Sequence, residues 1–537
     1  MIRRPDIIIF NPDEMRADAM GHMGNPAAVT PFLDAFAHTD AVSFRNAFCQ
    51  NPVCVPSRCS FFTGLYPHVN GHRTMSYLLH PGEENLFSEL KRSGYTVWMN
   101  ARNDLFAGQI SGWAEENADT IFYGGDVPAA PGPVKPPQNK KPDDKDCYTH
   151  FTGKLAVDEN GKNYNPDDEA VDAAIDYISR YDADKPFCIF LGLMAPHCPY
   201  QVEEPYASAI DRGRLKHRIQ FSECSGKSEM IRLLHQYQNI QYGEDDWNEL
   251  RSVYLGMCMK VDSQFRRLCD ALKKSGRYED SLIIFLSDHG DFEGDYDLTE
   301  KAQSSFEDCL TRVPLIIKPP VREKADPGKT DALAELVDFY ATVMDYSDTE
   351  IQRTQFGHSL RKVIENRETA VRNFVTCEGG RLPGEDMCDE YHSFGPDGPP
   401  VNFPYYPKMK AQSNDHAHAK GVMIRNHHAK YISRITGEDE FYDLDRDPGE
   451  TVNEIDNPVY ADRIEKMRLL MLRWYMQTSD TVPREYDKRF TDEMLWARVK
   501  NICPPDHEAE VKEKIRQGIK QAPLTLYVRK LAAEQKK

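Results

Sequence analysis

The sequence has no apolar run approaching the roughly 18 residues that a membrane-spanning helix requires. Its N-terminal apolar run, Ile7-Ile8-Ile9-Phe10, is too short for the hydrophobic region of a signal peptide. Positive charge is also scarce: 66 Lys and Arg face 85 Asp and Glu, for a formal net charge of -19 and a pI near 5.4. That balance excludes general attraction to nucleic acid or an anionic membrane, and confines any anion site to a local basic pocket. Paired cysteines are missing too. The 13 cysteines are odd in number and scattered, and Cys49, Cys54 and Cys59 fit neither a zinc knuckle nor a redox Cys-x-x-Cys. These absences together predict a reducing, cytoplasmic setting. Internal repeats and low-complexity segments are likewise absent.

What is present is the composition of an ordinary globular protein, 40% hydrophobic and 28% charged, in a chain of 537 residues long enough for several domains. Four short apolar runs read as buried parallel strands: Ile7 to Phe10, Gly94 to Met99, Pro186 to Leu193 and Ser281 to Leu286. Each runs into polar residues, respectively Asp13-Glu14, Arg102-Asn103-Asp104, Pro196-His197 and Asp288-His289-Gly290. In open α/β sheets, ligands bind at such strand ends. Asp-His-Gly at a strand end points to a metal. Oxygen ligands suit Ca2+ or Mg2+, and a histidine widens the choice toward Mn2+. Asp291 and Asp295 read as solvated loop acids.

Helical spacing is expected over Asp167 to Tyr181, Tyr254 to Leu272, Leu333 to Met344 and Ala461 to Gln477. Residues 107 to 165, with the proline- and lysine-rich Pro128 to Pro142, and residues 379 to 420 read as substrate-facing loops. Residues 421 to 425 and 429 to 434 alternate like paired antiparallel strands.

Asn51 to Gly64 reads as the start and stop of a short helix. Pro56 is tolerated in its first turn, and Gly64 suits the left-handed stop. Cys54 then sits at the positive end of the helix dipole, where an anion is stabilised, with the Arg58 guanidinium one turn on. Cys54-Val55-Pro56-Ser57-Arg58, followed by Thr63-Gly64-Leu65-Tyr66-Pro67, resembles the signature of the type I, formylglycine-dependent sulfatases of the alkaline phosphatase superfamily.

The resemblance implies a large mixed, mostly parallel sheet sandwiched by helices over residues 1–375. It implies a smaller α+β subdomain on a short antiparallel sheet over 376–480, followed by a charged, partly helical tail over 481–537. Cys54, oxidised to formylglycine by a formylglycine-generating or sulfatase-maturating enzyme, is the implied nucleophile. Asp13, Glu14, Asp288 and His289, with position 54, are implied to hold one divalent metal, Ca2+ first, then Mn2+ or Mg2+. The family more often has a second aspartate where Glu14 stands. Arg58 and Lys301 are implied to hold the sulfate oxygens, and His197 to protonate the leaving oxygen.

Arg102 stands at the substrate-binding position where the family commonly has lysine, and Asp104, or Asn103 if the loop is shifted, where it commonly has histidine, so this loop departs from the pattern. The expected substrate is a small-molecule or saccharide sulfate monoester, with no nucleic-acid or membrane partner, and a homo-oligomer through the tail left open. Two rival readings stand: a phosphonate monoester or phosphate diester hydrolase of the same superfamily, and an inactive binding protein whose Cys54 is never modified.

Overall fold

Ile7 to Phe10 is buried on both faces because neighbours pair with it on either side. In the computed structural model, β1 (Ile7–Asp13) lies between two parallel partners, with Ile7 opposite both Cys188 and Leu282. Successive side chains alternate between two cores: Ile7 and Ile9 enter one, Ile8 and Phe10 the other. The structure describes residues 4–125, 141–159, 161, 163–385, 390–391, 394–482 and 488–535. Of the proline-rich stretch 128 to 142, residues 128–140 lie outside the described residues.

The remaining strands are β2 (Val42–Phe48), β3 (Thr96–Asn100), β4 (Thr120–Phe122), β5 (Phe151–Lys154), β6 (Phe187–Pro196), β7 (Tyr200–Val202), β8 (Leu282–Leu286), β9 (Arg312–Val313), β10 (Leu315–Lys318), β11 (Gly328–Glu335), β12 (Val375–Gly379), β13 (Gly421–Arg425), β14 (Ala429–Arg434) and β15 (Glu440–Asp443). Among the described residues, a nine-stranded sheet runs β11-β2-β10-β8-β1-β6-β3-β4, with β9 paired to β2. It is mixed and mostly parallel; β10 and β9 run against their neighbours. Helices cover both faces. Phe36 and Phe265 pack on Phe10 and Phe285 from one side, with ring centroids 5.1 Å (Phe10–Phe265) and 5.2 Å (Phe36–Phe265) apart. Phe61, Phe62 and Phe339 form the equivalent cluster on the other. Truncating one such ring typically costs about 3–5 kcal/mol. A second sheet, β12-β13-β14-β15, is an antiparallel meander. Its apolar side chains Ile424, Tyr431 and Phe441 pack with Ile464, Met467 and Trp474 of the helix Ala461–Thr478.

The chain divides into two compact units, residues 1–351 with 355–480, and residues 352–354 with 481–537. The second unit is helical, with Leu495, Val499, Val511, Ile515, Leu524 and Val528 in its own core.

Three sequence expectations change. The helix expected from Leu333 begins instead at Val337, because Leu333 to Glu335 pair with Asn46 to Phe48 of β2. Sheet pairing there overrides helical spacing. Residues 107 to 165 are not wholly loop, since the helix Trp113–Asn117 and the short strands β4 and β5 find edge partners. Likewise, residues 379 to 420 contain the helix Tyr406–Gln412. Among the described residues, no helix is long and apolar enough to cross a membrane.

Candidate active site

Strands β8, β1, β6 and β3 are consecutive in the sheet and parallel, so their C-terminal ends open on one crevice. That order brings Asp288 and His289, Asp13, His197 and Arg102 to one end of the sheet. The register slips between Pro12 and Asp13, so that Asp13 stands opposite Pro196 rather than the next residue of β6. Such a bulge re-aims a side chain. Asp13 is thus a strand-end acid.

The helix Cys54–Thr63 starts at the cysteine itself, after an extended Val53. It stops at Gly64, whose φ of 69° is left-handed and whose N–H donates to the Ser60 carbonyl at 2.8 Å. All ten of its residues are buried. Arg58, one turn after Cys54, has a fully buried guanidinium that joins two strand ends: Nε donates to Asp288 Oδ2 at 2.8 Å and Nη2 to Asp13 Oδ2 at 2.9 Å. Its Nη1 reaches the Arg102 carbonyl at 3.2 Å and lies 3.3 Å from Asp104 Oδ2. Arg102 Nη2 donates to the same Asp13 oxygen at 2.6 Å. Burial acts to raise the Asp13 carboxyl, but the charges of Arg102 and Arg58 hold it well below the usual carboxylate range. Arg102 and Asp104 are therefore joined to the centre of the site.

Asp13, Cys54, Asp288 and His289 are all buried, and each offers a donor atom within 4.8 Å of the others. His289 Nδ1 donates to the Gly290 carbonyl at 3.0 Å, which leaves the Nε2 lone pair facing Cys54 Sγ at 3.3 Å and Asp13 Oδ1 at 3.4 Å. Burial first, then Lys301, pushes His289 down and keeps it neutral. Two carboxylates and one imidazole lone pair form a donor set that fits a divalent cation. The thiol fits less well. Burial, then the Asp13 carboxylate, pushes Cys54 well above the ordinary thiol range, so the helix dipole does not produce a thiolate here.

A second buried group adjoins the first. Glu14, at a left-handed φ of 66°, sends its carboxylate away from the Asp13 group: Oε2 accepts from Lys301 Nζ at 3.0 Å and lies 3.4 Å from His197 Nε2. Glu14 Oε1 is buried with no partner. Lys301 Nζ also lies 2.8 Å from His197 Nε2 and 3.0 Å from Glu300 Oε1. His197 Nδ1 donates to the Cys198 carbonyl at 2.6 Å, so Nε2 is the acceptor and the shared proton sits on Lys301. Burial, then the Lys301 charge, pushes His197 down to about 3, so it is neutral in this arrangement.

The expectation that Asp291 and Asp295 are solvated fails. Asp291 is fully buried, and its two oxygens share the one proton of the Tyr200 hydroxyl, 2.8 Å from each. Asp295 accepts from Arg16 Nη1 at 2.9 Å. The loop after β8 folds inward because these acids find donors far away in the chain, Tyr200 of β7 and Arg16 just after β1.

Several further residues support the site. Ser57 Oγ donates to the Asp288 carbonyl at 2.6 Å, and Tyr254 OH donates to the Glu14 carbonyl at 2.8 Å. Lys408 Nζ donates to Glu300 Oε1 at 2.9 Å and so braces Lys301 from a segment read as loop. Adjacency to Lys301 was the one clue to Glu300.

A family model described as Sulfatase matches residues 5–349 of the chain. The arylsulfatase of Clostridium perfringens is 24% identical over 497 residues, covering 88% of this chain and 94% of that protein. Among solved structures, the phosphonate monoester hydrolase of Agrobacterium radiobacter aligns with a TM-score of 0.69 at 19% identity, over 90% of this chain and all of that one (100%). A protein solved in complex with its substrate D-glucosamine-2-N,6-O-disulfate aligns with a TM-score of 0.66, also at 19% identity, over 90% of this chain and 100% of that one.

Proposed function

The chain belongs to the sulfatase family of the alkaline phosphatase superfamily, a sulfuric ester hydrolase, and we propose that it cleaves a sulfate monoester at the group formed by Cys54, Arg58, Asp13, Asp288 and His289. The observation that carries this reading is the fully buried Arg58 guanidinium, one turn from Cys54 and bonded to both Asp13 and Asp288. A sulfate ester is a stable monoanion. Its cleavage needs a nucleophile, positive charge facing the oxygens and a proton for the leaving alcohol.

Position 54, as formylglycine made by a maturation enzyme, is the nucleophile in this reading. Asp13, Asp288 and His289 would hold a divalent cation, which supplies positive charge and lowers the pKa of a nearby hydroxyl. Arg102, whose side chain is 28% exposed, presents guanidinium N–H groups to the sulfate oxygens, while the fully buried Arg58, committed to Asp13, Asp288 and the Arg102 carbonyl, holds the two acids in place. Lys301 and His197 form one proton-holding unit. Lys301 carries the proton and His197 Nε2 accepts from it, with the tautomer fixed by the Cys198 carbonyl. A leaving oxygen that takes the place of His197 Nε2 receives the proton from Lys301 Nζ. Glu300 and Lys408 act by positioning Lys301.

Removal of metal is expected to abolish turnover. After dialysis against EDTA, elemental analysis should find no divalent ion, and activity should return with Ca2+, Mn2+ or Mg2+. Full activity in a preparation shown to be metal-free would remove the assigned roles of Asp13, Asp288 and His289.

Sulfate is favoured over phosphorus esters as the substrate by the family. The rival is the phosphonate monoester hydrolase, whose fold this chain shares. In side-by-side assays, 4-nitrophenyl sulfate should be the best substrate. A preference of several hundredfold for phenyl phosphonate monoester or a phosphate diester, about 3–4 kcal/mol in barrier, would overturn the sulfatase assignment in favour of that rival.

A further inference from the structure

Charge is unevenly accessible around the catalytic group. The side chains of Asp13, Asp288, Arg58 and Glu14 are fully buried, and Lys301 keeps only 3% of its side-chain surface open. Arg102 and Asp104 differ: their side chains are 28% and 31% exposed. Both also reach the buried group. Arg102 Nη2 donates to Asp13 Oδ2 at 2.6 Å, and Asp104 Oδ2 lies 3.3 Å from Arg58 Nη1. A side chain that touches a buried ion while staying open to solvent stands at the mouth between the two. That mouth is therefore flanked by one cation and one anion.

The backbone holds Asp104 in place. Asn103 Oδ1 accepts from the N–H groups of Leu105 and Phe106 at 2.9 and 3.3 Å, and in the turn so formed Asp104 has a left-handed φ of 53°. Aspartate and asparagine tolerate that conformation. At Cys54, burial and then Asp13 raise the thiol, and the Asp104 charge adds to them, so its field reaches the residue that attacks the ester in the reading above. Arg58 does little to offset Asp104 for a ligand, because its guanidinium is shared with Asp13 and Asp288. An ester with one negative charge can place it against Arg102. A second negative charge on the same group meets Asp104, and like charges brought together at a binding site are costly.

We propose that Asp104 selects substrates by charge, admitting a monoanionic ester and disfavouring a dianionic one such as a phosphate monoester. It is a specificity-determining residue and not a catalytic one. This inference rests on the reading above, which puts the ester at position 54.

The test compares kcat/KM of the mature, metal-loaded enzyme at pH 8 for four 4-nitrophenyl esters. The sulfate, the phenyl phosphonate monoester and the methyl phosphate diester carry one negative charge; the phosphate monoester carries two. Asp104→Asn removes the charge and keeps the size and the left-handed backbone. It should raise the phosphate monoester relative to its methyl diester by about tenfold or more. Asp104→Gly, equally suited to a positive φ, should give the same gain. An ester that is not turned over is scored by its inhibition constant against the best substrate.

A gain of that ratio in both variants supports the proposal. A gain in neither overturns it, and so does a gain in only one, which would report side-chain size and not charge. If no sulfate ester is turned over while the phosphonate monoester is, the sulfatase reading falls instead. The ratio between the two phosphate esters still decides the role of Asp104 in that case.

Discussion

Cys54→Ala is expected to lower kcat by about 10^4-fold or more, at least about 5.5 kcal/mol of barrier, while leaving the fold intact. The thiol makes only two long contacts, with Asp13 Oδ1 at 3.6 Å and His289 Nε2 at 3.3 Å, and neither closes a buried charge. Removing it should shift Tm by no more than a few degrees, so the loss isolates chemistry from stability. The companion measurement is the peptide mass of residue 54 in active protein, expected to be lighter by the thiol-to-aldehyde difference. Active protein with an unmodified thiol would sink the nucleophile assignment and revive the unmodified binding protein as a reading. Cys54 is 4% exposed in the folded chain, so an enzyme that oxidised it would have to reach it before folding is complete.

The second large effect is on stability. Arg58→Ala leaves the Asp13 and Asp288 carboxylates buried without their shared partner, and in metal-free protein should cost about 3–5 kcal/mol. Arg58→Lys keeps the charge but cannot hold both strand ends with one planar fork, and should fall between wild type and alanine. The pH dependence has a definite sign. The folded-state value of Asp13 is depressed below its ordinary 3.8, so the contribution is fully present above that value and is lost as pH falls through the depressed one. In the alanine variant that depression weakens, so the gap between wild type and variant is full above the ordinary value and closes only as pH falls below it, towards the depressed wild-type value. Urea denaturation should therefore show a larger gap between wild type and variant at pH 7 than at pH 3. An equal gap at both would mean that the guanidinium–carboxylate pairing is not what Arg58 contributes.

The strand ends and the Cys54 helix were legible because each is written in a short local pattern. An apolar run of β-branched residues predicts a buried strand wherever it falls. Asp288-His289 or Pro196-His197 at its end then needs no long-range information. The pairings among them were not legible. Arg58 reaches Asp288 across 230 residues of chain, and Lys408 reaches Glu300 across 108. No spacing encodes such contacts. Asp291 was misread for the same reason: its partner, Tyr200, belongs to a different strand.

By itself, then, the sequence determined the mostly parallel sheet, the set of chemistry-bearing strand ends and the identity of residue 54 as the likeness to the sulfatases required. Those are properties of periodicity, of turn residues and of contiguous motifs. Only the tertiary structure decided how charge is distributed among them. It grouped Glu14 with Lys301 and His197 rather than with Asp13, kept the Cys54 thiol protonated, and placed the proton of the Lys301–His197 pair on the lysine. Burial and close opposite charges set these states. Both come from packing residues that lie far apart in the chain.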